Sequence, residues 1–193
     1  ADGLIKTAAI NAPRFDHDPV SLACKGLLIE EIRTNLLTKS ISVDTNDGWS
    51  KGTNLTRVGS ASAPDGTNTA TTYTTSSGGY AFASKTVTLA ANTTYTLSVY
   101  ARLRSGSVPS IGALLVVDYD SDNNVGTSER VTRGWSGLSS SWSRFSLTFT
   151  NIAALASTSV YICTDFANGA QIDVWGAQLE VGSFPTSYIP TTT

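Results

Sequence analysis

Thr94-Tyr95-Thr96-Leu97-Ser98-Val99-Tyr100-Ala101-Arg102-Leu103-Arg104 alternates without a slip. Tyr95, Leu97, Val99, Ala101 and Leu103 fall on one side, and Thr96, Ser98, Tyr100, Arg102 and Arg104 on the other. Side chains of a strand point alternately to its two faces, so this period of two predicts a strand with one face in a core. A helix would scatter the same apolar residues around its circumference.

The period recurs to either side. Ser143 to Phe149 turns Phe145, Leu147 and Phe149 one way and Trp142, Arg144, Ser146 and Thr148 the other. Ile111 to Tyr119 is nearly continuous apolar sequence, as a central strand would be. Val160–Thr164, Ile172–Leu179, Tyr80–Leu89 and Leu55–Val58 bring the expected total to at least seven strands. Between them lie Ala63-Pro64-Asp65-Gly66, Ser76-Ser77-Gly78-Gly79, Ser105-Gly106 and Ala167-Asn168-Gly169, where Gly and Asx chemistry makes turns. The pattern predicts an all-β fold, an antiparallel β-sandwich of jelly-roll type. Ala12 to Leu37 reads either as a strand or as a short helix.

A chain of 193 residues suits one large sandwich. We expect one module over residues 1–190, with 191–193 leading to a neighbouring domain; Pro185 to Thr193 reads as an exposed tail. There is no Met, which fits a module cut from a longer polypeptide. Roughly a quarter of the residues are Ser or Thr, a bias toward strands and turns. The net charge of −2 and scattered Arg residues argue against nucleic acid as a partner. No apolar run is long enough for membrane insertion. Cys24 and Cys163 are expected as two free thiols.

Two stretches carry a resemblance: Pro13-Arg14-Phe15-Asp16-His17-Asp18-Pro19 running on to Gly26-Leu27-Leu28-Ile29-Glu30-Glu31-Ile32-Arg33-Thr34-Asn35-Leu36-Leu37, and Trp175-Gly176-Ala177-Gln178-Leu179-Glu180 through Tyr188-Ile189-Pro190-Thr191. With Ala63–Thr67, Tyr95–Ala101 and Trp142–Phe145 between them, the chain resembles a bacteriophage tail-associated module similar to jelly-roll carbohydrate-binding modules. The resemblance implies adhesion to polysaccharide or cell-surface glycan, in a virion tail or outside the cell. It also implies a structural calcium ion, with Asp173 as the late acidic ligand and Asn35 as an early oxygen ligand. Ser40-Ile41-Ser42-Val43 departs from the acidic and aromatic pair that related modules carry there.

Sugar recognition needs flat aromatic faces for the apolar side of a pyranose and polar groups for its hydroxyls. Trp135, in a Gly- and Ser-rich context with few obvious core neighbours, reads as a platform or as a packed ring. Tyr80 follows a Ser/Gly loop and also begins a strand. Tyr100, Arg102 and Arg104 form a polar strip suited to hydroxyls or acidic sugars, or a solvated face. Trp142 and Arg144 join them if the two strands pair in one sheet. Trp49 and Trp175 read as structural, the latter alternating with Ala177 and Leu179. Asp118, Asp120, Asp122 and Glu129 mimic the spacing of a calcium loop, but Asn123 replaces its usual Gly, and a hairpin turn rich in Asp and Asn is the preferred reading. His17 lacks the partners of a triad or zinc site and reads as a local turn contact. No acidic motif marks a catalytic groove, so we expect binding without catalysis. The alternative is a virion assembly or homo-oligomerisation module contacting a neighbouring virion protein.

Overall fold

The computed structural model describes residues 4–6, 8, 12–18, 21–44, 47–76, 81–118, 130–151, 155–164, 166 and 169–192; the side chains at 116, 118, 130 and 155–157 lie outside the description. Among these residues the order of strands is β1 (Phe15–His17), β2 (Cys24–Leu27), β3 (Ser50–Lys51), β4 (Leu55–Ala61), β5 (Ala70–Thr75), β6 (Ala83–Leu89), β7 (Thr93–Ser105), β8 (Ala113–Asp118), β9 (Arg130–Arg133), β10 (Ser143–Asn151), β11 (Leu155–Thr164) and β12 (Gln171–Val181). They form a five-stranded sheet in the order β10-β7-β12-β5-β4, a second in the order β3-β6-β11-β8-β9, and a separate β1–β2 hairpin. Every pairing is antiparallel.

The alternation read from the sequence is the sandwich's inner surface. Tyr95, Leu97, Val99 and Ala101 of β7 and Phe145, Leu147 and Phe149 of β10 share one buried cluster with Leu115, Val117, Val160 and Ile162 of the second sheet. Burying each such aliphatic side chain stabilises the fold by about 1.5–3 kcal/mol. Trp49 also lies in this core, at 1% exposure, as expected.

β12 departs from its sequence pattern. Its register with β7 runs Trp175↔Tyr100 and then jumps to Gln178↔Ser98, so one extra residue is inserted as a bulge. Gly176 occupies it at φ 65°, a left-handed conformation that costs Gly least. A Cβ there would meet the Tyr188 ring at 3.3 Å and the Tyr100 ring at 3.4 Å. The bulge reverses the alternation: Ile172, Val174, Ala177 and Leu179 all face the sandwich core, while Trp175 points to the opposite side. Trp175 is structural, as expected, but not on the face of Ala177 and Leu179.

That opposite side is covered by chain. Where β5 leaves β12, after Thr71 pairs with Val174, residues 36–41 take its place: Leu36 N–H donates to Leu179 O, Ala177 N–H to Ser40 O and Gly176 N–H to Ile41 O. Of the segment expected to be an exposed tail from Pro185 onward, residues 186–191 are fastened down instead. Thr186 is 3% exposed and donates its N–H and Oγ1 to the buried Glu180 carboxylate at 2.9 and 2.6 Å. Ile189 N–H donates to Gln178 Oε1, and Thr191 Oγ1 to Leu37 O. Arg33 lies against Glu180 at 3.7 Å, which compensates a charge that would be costly to bury alone. The segment from Ala12 to Leu37 contains the β1–β2 hairpin and no helix among its described residues. Both cysteines are free, Cys24 exposed and Cys163 buried, as expected.

Candidate functional site

The strands β7 and β10 do pair, with Arg144 opposite Tyr100, and Asp173 of β12 lies opposite Arg102. Tyr100, Arg102, Arg104, Trp142 and Arg144 are therefore gathered on the outer face of the first sheet. The aromatic rings there are largely spent on one another. Tyr100 meets Trp175 edge-on at 5.6 Å, Tyr188 lies 4.6 Å from Trp175, and the Arg144 guanidinium sits 5.4 Å from the Tyr100 ring. Burial raises the Tyr100 hydroxyl pKa, with Arg144 acting against the rise. The Tyr188 hydroxyl is pushed up to about 12, again chiefly by burial, although it shares a 2.8 Å hydrogen bond with Ser40.

Trp142 is partly buried beside this cluster, with the Arg102 guanidinium 4.8 Å from its ring centre. Arg102 Nε donates to Asp173 Oδ2 at 2.8 Å, and Arg104 Nη1 reaches Asp173 Oδ1 at 3.4 Å. Thr72 Oγ1 donates to the same oxygen at 2.7 Å.

Two expectations are corrected by these positions. Trp135 does not lack core neighbours: it is 5% exposed, packs edge-on against Phe166 at 5.7 Å and donates Nε1–H to Ile111 O at 2.8 Å. Its Gly- and Ser-rich neighbours in sequence concealed partners supplied by the segments just before β8 and just after β11. The paired calcium ligands are not formed either. Asn35 Oδ1 accepts the Leu37 and Leu179 N–H groups while Nδ2 donates to Ala177 O and Ile189 O, so every polar valence is spent on backbone. Asp173 is held by two guanidiniums, which repel a cation, so these residues do not fit a calcium ion. Among the described residues no group of three or more His, Cys, Asp and Glu is placed to hold a metal. Tyr80 and residues 119–129 of the candidate calcium loop lie outside the described residues. His17 Nδ1–H donates to Phe15 O at 3.0 Å, the local contact expected of it.

The outer face of the second sheet was not singled out by the sequence. Tyr161 occupies its central strand, β11, opposite Ser84 on one side and Val116 on the other; Ser159 lies opposite Thr86, and Val116 opposite Thr132. Phe82 meets Tyr161 edge-on at 5.3 Å, and neither ring belongs to a core cluster. Ser84, Ser159 and Tyr161 are partly exposed, and Thr86 and Thr132 are exposed. Among the described residues nothing engages the side-chain hydroxyls of these five. The signal was available in Ser159-Val160-Tyr161-Ile162, where Ser and Tyr alternate with two aliphatics.

Residues 35–168 match the model of a carbohydrate binding domain. In fold the chain is similar to the CBM22-1 xylan-binding domain from Paenibacillus barcinonensis Xyn10C, at 12% identity over 80% of this chain and 95% of that one, with a TM-score of 0.54. It is likewise similar to the CBM22-1-CBM22-2 tandem domain of the same protein, at 15% identity over 81% of this chain and 49% of that one, with a TM-score of 0.59. No curated protein matches the sequence.

Proposed function

The chain belongs to the carbohydrate binding domain family, and from that membership we propose that it holds a polysaccharide, without cleaving it, across the outer face of the β3-β6-β11-β8-β9 sheet. The observation that carries this reading is Tyr161, a partly exposed ring on the central strand whose hydroxyl and whose hydroxyl-bearing neighbours are unengaged among the described residues. Neighbouring strands lie about 4.8 Å apart and same-face residues about 6.7 Å apart. Ser84, Thr86, Ser159 and Thr132 thus form a grid of donors and acceptors around an aromatic platform, matched to the hydroxyls and apolar face of a sugar chain. The first sheet's aromatics offer less, because their faces already pack against Trp175, Tyr188 and two guanidiniums.

A glycan array followed by calorimetry on the best neutral polysaccharide tests the reading, with Tyr161→Ala expected to lose most of the affinity. Undiminished binding by that variant would remove the site from this face. The resemblance of Pro13–Leu37 and Trp175–Thr191 to tail modules supports display on a bacteriophage tail, facing host glycans.

A second reading is favoured by Ile29 and Ile32, which are 84% and 103% exposed beside Leu27 at 57%. An apolar run of this kind marks a protein contact, and it supports assembly with a second copy or a neighbouring virion protein. Light scattering separates a monomer from a stable oligomer.

A further inference from the structure

We propose that the Arg102–Arg104 strip on the first sheet is a separate subsite for the carboxylate of an acidic saccharide. The inference rests on the reading of this chain as a saccharide binder, but it uses the opposite face of the sandwich from Tyr161.

The strip carries more positive charge than its ion pairs require. Asp173 is fully buried and supplies one negative charge to two guanidiniums. Arg102 satisfies it at 2.8 Å, while the 3.4 Å contact from Arg104 is long. The other buried carboxylate of this face, Glu180, is taken by Arg33 and Thr186, so among the described residues the excess is uncompensated.

Arg102 is also held in place. Its Nε edge is fixed on Asp173 and its plane lies near the Trp142 ring, an arrangement that restrains the head group before any ligand arrives. Its two terminal nitrogens make no hydrogen bond among the described residues, and its side chain is 26% exposed. The Arg104 side chain, 47% exposed, stands two residues along the same strand face. A restrained planar fork with a second guanidinium beside it matches the two oxygens of a carboxylate. The Trp142 ring beside Arg102 offers the rest of the sugar an apolar neighbour.

The test uses polygalacturonate and the same polymer fully methyl-esterified, with dextran sulfate as a third probe, each titrated into the intact chain. Polygalacturonate should bind at least tenfold more tightly than its ester, and the difference should shrink as salt is raised. Arg104→Gln, which leaves Asp173 paired with Arg102, should weaken polygalacturonate binding several-fold and leave neutral-polysaccharide binding unchanged. Arg102→Lys keeps the charge but not the fork and should weaken it too, with the unfolding midpoint measured alongside to show that the variant is folded. Equal binding of acid and ester, or unchanged affinity in both variants, overturns the proposal. Equal Arg-dependent binding of dextran sulfate overturns the choice of a carboxylate. Tyr161→Ala separates the two faces: neutral binding lost with polygalacturonate binding intact supports the subsite, and loss of both refers the acidic sugar to the Tyr161 face and overturns it. Polygalacturonate binding that depends on Arg104, in a chain that binds no neutral glycan, sustains the subsite while rejecting the Tyr161 reading.

Discussion

The outer face of β12 and the outer face of β11 both carry aromatic side chains on a central strand, yet their surroundings differ. Around Trp175, the Tyr188 ring at 4.6 Å and the side chains of Ile5, Ile41 and Tyr100 pack together and bury the ring to 2% exposure. Around Tyr161, which Phe82 meets edge-on, stand Ser84, Thr86, Ser159 and Thr132, whose hydroxyls nothing engages among the described residues. The lesson is that an aromatic ring on a sheet's outer face is defined by what crosses over it. Covered, it is a second small core; uncovered, it is a surface on which a ligand can lie.

This contrast is open to direct attack. The largest effect should come from Trp175→Ala, which empties a packed site and should cost about 3–5 kcal/mol of stability by urea unfolding, with glycan affinity of the folded fraction unchanged. Lost binding at undiminished stability would break the contrast. Tyr161→Ala should do the reverse, weakening neutral glycan binding by roughly 1–3 kcal/mol, taking base stacking as the analogue, with little change in the unfolding midpoint. Trp135→Phe should lower stability by about 0.5–1.5 kcal/mol through the lost bond to Ile111 O and leave calorimetric binding as it was. An affinity change there would extend the binding surface into the core.

The smallest effect concerns alkali. The folded-state pKa of Tyr188 stands above its unfolded value, so the unfolded chain loses that proton first. The stability it contributes is complete below about pH 10 and should decline as the pH rises toward about 12. Tyr188→Phe should remove this part of the alkaline slope in a denaturation series, sharpening the distinction between a roofed ring and an open one.

The polar strip was legible before the structure because strand periodicity assigns faces without knowledge of neighbours: Tyr100, Arg102 and Arg104 had to share a side, and Trp142 joined them once β7 and β10 paired. Trp135 stays open between platform and packed ring in the sequence for the complementary reason. Exposure depends on Ile111 and Phe166, which lie 24 and 31 residues away in sequence and leave no mark on its immediate context. The calcium pair that the resemblance implies meets the same difficulty, since Asn35 and Asp173 have partners within the protein that a resemblance in sequence does not reveal. Tyr161 was passed over because an aromatic within an apolar strand reads as core unless its alternation with Val160 and Ile162 is followed through.

The sequence by itself determined that this chain is built of strands with one apolar face, because the two-residue period is a local property of the backbone and survives any arrangement of the sheets. It also determined which residues share a face on each unbroken strand. Only the tertiary structure decided which outer face is roofed by other described residues, since that depends on where segments distant in sequence lie. It alone decided the orientation of Trp175 as well, because one inserted residue at Gly176 inverts the alternation and only the register with β7 reveals the insertion.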